Sequence, residues 1–145
     1  MTTGGRRPEG APGDRERGGG RPPRAEHTAR DVKQLAVWQK AVDLCESVYA
    51  LTAQFPAAER FGLTGQMRRA VVSVPSNLTE GYGRGSRRDY RQFVCVARGS
   101  AAELETQITI ASRLRLLDVD DCERFLSATR EILCMLHSLA EALDT

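Results

Sequence analysis

Residues 86–114 read SRRDYRQFVCVARGSAAELETQITIASRL, and the spacing of their apolar side chains decides the fold. Tyr90, Phe93, Val94, Ala97, Ala101, Leu104, Ile108, Ala111 and Leu114 recur mostly at steps of three and four, which lines one face of an α-helix. Ser86 with Asp89 three residues on is a capping-box-like start, with Asp in the usual Glu position. At 1.5 Å per residue such a helix is about 40 Å long. Nothing in the chain alternates with period two, so no sheet is expected.

Working outward, three further runs carry the same period. One spans Leu35 to Gln54, with Trp38, Ala41, Val42, Cys45, Val48, Tyr49 and Thr52 on one face and Pro56 ending it. Another spans Glu59 to Tyr82, with Leu63, Met67, Ala70, Val71, Val74 and Leu78 in one stripe and Pro75 inside it. The last starts at Asp118 or Asp120 and carries Cys122, Phe125, Leu126, Thr129, Ile132, Leu133, Leu136, Leu139, Ala140 and Leu143. The links are a few residues long, which forces neighbouring helices to be antiparallel. The expected fold class is all-α: an antiparallel up-down-up-down four-helix bundle over residues 35–145.

Residues 1–34 are rich in Gly, Pro and Arg and almost free of large apolar residues, so a disordered tail is expected there. Its readings are a solvated tail or a misassigned start, against an arginine-rich arm for nucleic acid. The whole chain is 41% hydrophobic and 28% charged, ordinary for one globular domain. Its formal charge of +2 divides unevenly, with +3 on residues 1–34 and −1 on residues 35–145. An anionic partner must therefore meet a local patch or the tail. Arginines outnumber lysines nineteen to two, so such a patch would be made of guanidinium groups.

Cys45, Cys95, Cys122 and Cys134 form no C-x-x-C pair and sit in apolar helical runs, which reads as reduced core thiols. No apolar run approaches 18 residues and there is no secretory signal, so the expected compartment is the cytoplasm.

Three features between Arg68 and Arg91 point to function. Pro75 removes a helical hydrogen bond and crowds the Val71 carbonyl, at about 3 kcal/mol in a helix interior, so a kink is expected. It serves packing, or it presents the next turn to a partner. Ser73, Asn77, Glu80 and Arg84 then fall on one face beside the apolar stripe. They read as a structural network, with Asn77 and Glu80 bonding backbone freed by Pro75 or a neighbouring helix or subunit, or as a ligand site. A lone carboxylate specifies no reaction.

The third feature is an arginine cluster, Arg84, Arg87, Arg88 and Arg91, with Arg68 and Arg69 earlier and Arg98 later. Arginines in the first turns of a helix oppose its dipole unless an anion compensates. They either pair with Glu80 and Asp89 on a solvated face or form an anion site for RNA or DNA phosphate. Gly81, Gly83 and Gly85 would leave the connection flexible. Tyr82 and Tyr90 offer rings for base stacking, although Tyr90 lies on the core stripe. His137 stands alone as a partly buried flank residue, and no Glu-x-x-His pair, phosphate loop or dinucleotide fingerprint is present. No enzyme, cofactor, metal or small-molecule substrate is expected.

The sequence also resembles a known family over about residues 35–143. The likeness rests on Val37-Trp38-Gln39-Lys40-Ala41, Phe55-Pro56 with Glu59-Arg60 and Gly62-Leu63, and Gln66 with Arg68-Arg69-Ala70. It continues in Ser76-Asn77-Leu78-Thr79-Glu80-Gly81, Arg84, Ala97-Arg98-Gly99-Ser100 and Glu103-Leu104-Glu105-Thr106. These resemble the four-helix-bundle proteins encoded in intervening sequences of bacterial 23S ribosomal RNA genes. The family usually has Ile-Ala where this chain has Leu78-Thr79. The resemblance implies an antiparallel bundle and rings of five subunits. A similar branch, the accessory proteins of diversity-generating retroelements, binds a reverse transcriptase and RNA and is strongly basic. The slightly acidic folded part places this chain nearer the general branch. The expectation is a non-enzymatic homo-oligomeric scaffold that contacts RNA or a ribonucleoprotein through its arginines. The alternative is a purely structural protein–protein interaction module.

Overall fold

The computed structural model describes residues 1, 2, 4, 5 and 32–144. Four long helices follow one another: α1 (Ala36–Thr52), α2 (Leu63–Gly83), α3 (Arg87–Arg113) and α4 (Val119–Ala142). A single 3-10 turn, η1 (Ala57–Glu59), lies between the first two. No strand occurs among the described residues.

Side-chain contacts fix the directions. Trp38 meets Thr79, Cys45 meets Val71 and Thr52 meets Arg68, so α2 runs back along α1. Ser73 meets Ser100, and Arg87, Arg98 and Arg130 meet Leu143, His137 and Glu105 in turn, so α3 and α4 reverse again. Each helix packs on the next, and α4 closes back on α1, with Lys40 and Glu131 paired at 2.9 Å. The up-down-up-down bundle is the observed fold.

The helix ends follow from local chemistry. Ser86 Oγ accepts from Asp89 N at 3.0 Å, and Asp118 Oδ1 accepts from Asp121 N at 2.7 Å, so Asp118 is the cap that opens α4. α3 stops where Arg115 takes the left-handed φ of 59°, with Arg115 N bonding Ser112 O and Leu116 N bonding Ala111 O. This turn throws Leu114 outward and drops Leu117 into the core. Leu114 was expected on the stripe and is 58% exposed. α2 was expected from Glu59 but starts at Leu63, because residues 57–59 form η1 and Glu59 Oε2 accepts from Leu63 N at 3.3 Å.

The core is one cluster running through all four helices, and it contains every stripe residue expected of α2. α1 departs from expectation. Its buried line is Val37, Ala41, Leu44, Val48, Leu51 and Thr52, with Trp38 and Cys45 at its flank. Tyr49 is 45% exposed, its ring covered by the Arg68 guanidinium at 4.4 Å. Two overlapping faces of α1 are apolar, and the one with Leu44 and Leu51 buries more hydrocarbon. Val32 is also fully buried, so the core reaches upstream of Leu35. The rest of the expected tail falls largely outside the described residues.

Pro75 lies buried inside an uninterrupted α2. The Val71 carbonyl, left without its helical donor, accepts the Cys45 thiol of α1 at 3.3 Å. Burial pushes that thiol up to about 11, which keeps it protonated and able to donate. The four cysteines are free, but Cys134 is exposed and the others are half-buried, so the expected core thiols are mostly flank residues.

Candidate functional site

Where α3 begins, α4 ends beside it, and the arginines of the expected cluster lie at this corner. Arg87 donates to Leu143 O at 3.4 Å and to Ala142 O. Arg91 Nε donates to Ala140 O at 3.2 Å and lies 3.6 Å from the Asp144 carboxylate. These are the last carbonyls of α4, which have no intrahelical donor and carry its negative dipole end. The compensating anion for a positively charged helix start is thus another helix's C-terminus. Arg84 pairs with Glu80 at 2.6 Å and sits 5.2 Å over the Phe93 ring. Arg88 has no partner among the described residues. Arg87, Arg88, Arg91, Gln92 and Asp144 are among the residues that line an open cleft of about 710 Å3.

Arg68 and Arg69 do not join this corner. They lie about 24 Å up α2 from Arg84, at 1.5 Å per residue. Arg68 Nε donates to Thr52 Oγ1 at 2.9 Å and its terminal nitrogen to Tyr49 O at 3.3 Å, so it caps the end of α1. Arg98 belongs to a third group: it meets His137 Nδ1 at 3.1 Å, and His137 Nε2 is 3.2 Å from Glu141. His137 is exposed, not the partly buried flank residue expected.

The polar row divides likewise. Asn77 Nδ2 donates to Ser73 O at 2.7 Å and Ser73 Oγ at 2.8 Å, and Ser73 Oγ meets Ser100 Oγ at 2.9 Å across the α2–α3 seam. Ser73, Asn77 and Ser100 therefore share one hydrogen-bonded network. Glu80 stands outside it with Arg84, and neither Asn77 nor Glu80 reaches the carbonyl freed by Pro75. One turn along the seam, Gln66, Arg69, Ala70, Ser73, Ser100 and Glu103 line a groove of about 250 Å3. Gln107, 4% exposed, donates to Glu103 Oε1 at 3.3 Å from beneath.

Gly81 is a packing glycine, not a flexible link. A Cβ there would lie 2.5 Å from Phe93 Cβ. Only Gly85, at φ 77°, serves a turn. Tyr82 and Tyr90 meet edge to face at 5.4 Å. The Tyr90 hydroxyl is buried without a partner, and burial, then the nearby Tyr82, pushes it up to about 12. Sequence reasoning missed Thr79, which accepts the Trp38 indole N–H at 3.1 Å and donates to Pro75 O at 3.0 Å. Its hydroxyl, unusual at that place, was the available signal. Among the described residues no group of three or more His, Cys, Asp and Glu is placed to hold a metal ion, and no helix is long and apolar enough to cross a membrane.

The described residues form an antiparallel four-helix bundle in which Arg68, Arg87 and Arg91 cap helix ends. A family model described as 23S rRNA-intervening sequence protein matches residues 33–138, and the chain belongs to that family. The fold is similar to a crystal structure of a protein of unknown function from the S23 ribosomal protein family of Bacteroides thetaiotaomicron. That likeness has a TM-score of 0.65 at 20% identity, covering 72% of this chain and 97% of the other. No curated protein sequence matches.

Proposed function

We propose that this protein acts without catalysis, as a cytoplasmic helical scaffold that assembles with copies of itself and presents the assembly to a partner. The observation that carries this reading is apolar side chains left in water on the outer face of α2 and α3, with Val72 at 41% and Val96 at 48% exposure. The family resemblance adds an expectation of five-membered rings. The molar mass of the full chain in solution, measured by light scattering over a range of concentrations, tests it. A multimer is expected, and a monomer throughout would defeat the reading.

A second reading, contact with RNA or a ribonucleoprotein, is favoured by Arg88, the corner arginine without a partner, beside the open cleft. Arg87 and Arg91 keep part of their donor capacity for phosphate while holding α4. Binding of a structured RNA at two salt concentrations, by the wild type and by Arg88→Ala, tests it. The expected result is salt-sensitive binding that Arg88→Ala weakens without changing thermal stability. Binding that ignores Arg88 would leave the purely protein–protein role.

A further inference from the structure

Two cavities meet at the corner where α3 begins. The open cleft of about 710 Å3 holds Arg87, Arg88 and Arg91 in its wall. Beside it a narrower cavity of about 240 Å3 is lined by Tyr82, Tyr90 and the turn through Gly85 and Ser86. Arg87 and Leu143 belong to both walls, so the two spaces adjoin. One is charged and the other aromatic, and each sets its own requirement on an occupant.

The cleft suits a polyanion. Three guanidinium groups from the first two turns of α3 stand against a single carboxylate in the same wall, Asp144, which lies 3.6 Å from Arg91. Arg87 and Arg91 give part of their donor capacity to the α4 carbonyls, and Arg88 has no partner among the described residues. The start of α3 adds its dipole and first-turn amides that no helical carbonyl reaches. Guanidinium forks match phosphate oxygens two at a time. A lone phosphate leaves most of these donors unused, whereas a chain of two or three engages them together.

The narrower cavity suits a flat ring. Tyr82 and Tyr90 meet edge to face at 5.4 Å with their planes 88° apart, so they do not stack on each other. Both are half-buried and line the cavity, where a planar ring can lie against them. Arg87, in both walls, joins the ring space to the phosphate space. We infer that this corner binds a free nucleoside polyphosphate, its base against Tyr82 and Tyr90 and its phosphates on Arg87, Arg88 and Arg91. The site lies within one chain and does not depend on self-assembly. It shares Arg88 with the RNA reading above and differs in being complete for a single nucleotide.

Calorimetric titration of the full chain with ATP, GTP and inorganic triphosphate tests this. One nucleotide per chain is expected, bound about tenfold tighter than inorganic triphosphate because only the nucleotide has a base to stack. Arg88→Glu and Gln92→Glu, both at exposed positions of the cleft, should each weaken the nucleotide about tenfold and leave the melting temperature unchanged or higher. Tyr82→Leu should bring the nucleotide to the affinity of inorganic triphosphate. Bound nucleotide should also slow alkylation of Cys95, which lies in the cleft wall, and not of Cys134, exposed on α4. No binding of either nucleotide up to about 1 mM, binding no tighter than that of inorganic triphosphate, or binding that leaves Cys95 labelling unchanged overturns the inference. A structured RNA with a 5′-hydroxyl end, titrated alongside, separates the two readings. RNA bound where nucleotides are not sinks this site and leaves the RNA reading, and the reverse result leaves this site alone standing.

Discussion

Val71 carries a carbonyl that no helical N–H can reach, because the residue four places on is Pro75. Its donor comes from a different helix, the Cys45 thiol at 3.3 Å. A hydrogen bond of this kind contributes about 1 kcal/mol, and leaving the carbonyl buried without one costs a similar amount. The two residues should therefore be energetically coupled. Cys45→Ala is expected to destabilise by about 1–2 kcal/mol in the wild type and clearly less in a Pro75→Ala background, where residue 75 regains its N–H. Denaturant unfolding of the four-member cycle measures this, and equal losses in both backgrounds would refute the substitution of thiol for amide. The sequence announced the missing bond through Pro75, but not who supplies the donor. Cys45 reads as one more apolar residue on a stripe, and only the angle at which α1 lies on α2 brings its sulfur to that carbonyl. The same holds for Thr79, whose two roles need both Trp38 and the backbone of Pro75.

At the scale of elements, the corner between α3 and α4 explains why three arginines can stand at a helix start. Two of them satisfy the terminal carbonyls of the adjacent helix, where opposite dipole ends meet. Arg87→Ala and Arg91→Ala are each expected to destabilise by about 1 kcal/mol and to speed amide exchange in the last turn of α4. Arg88→Ala should stay within about 0.5 kcal/mol. Exchange rates by mass spectrometry distinguish these outcomes, and equal protection in all three variants would contradict the capping role. The excess positive charge at this start was legible in the sequence, and so was the antiparallel order that brings α4's end beside it. The acceptors were not legible, since C-terminal carbonyls exist in every helix whatever its residues. Arg68 and Arg69 were read with the cluster by proximity in type, whereas α2 holds them far from it.

For the molecule as a whole, four periodic stripes were enough to give helix number, order and direction. The register of α1 was not fixed by pattern alone, because two of its faces are apolar and packing chooses between them. The assembled core also sets how stability responds to alkali. Cys45 is raised from 9.0 to about 11 and Tyr90 from 10.0 to about 12, both chiefly by burial. The unfolded chain thus loses these protons first, so both groups contribute stability that is complete below their unfolded values and lost as pH rises through the folded ones. Urea midpoints should be flat up to about pH 9 and fall above it. Tyr90→Phe removes a buried hydroxyl that has no partner, so it should not lower stability near neutrality and should flatten the alkaline fall. A midpoint that rises with alkali would contradict the assignment.

The chain has one tryptophan, and its indole N–H rests on Thr79 of the neighbouring helix. Nature has therefore placed a single fluorophore across the joint where the first rod is seated on the second. Its emission reports the opening of that joint, whereas far-ultraviolet ellipticity sums over all four rods, so the two signals give separate clocks for one joint and for the whole molecule.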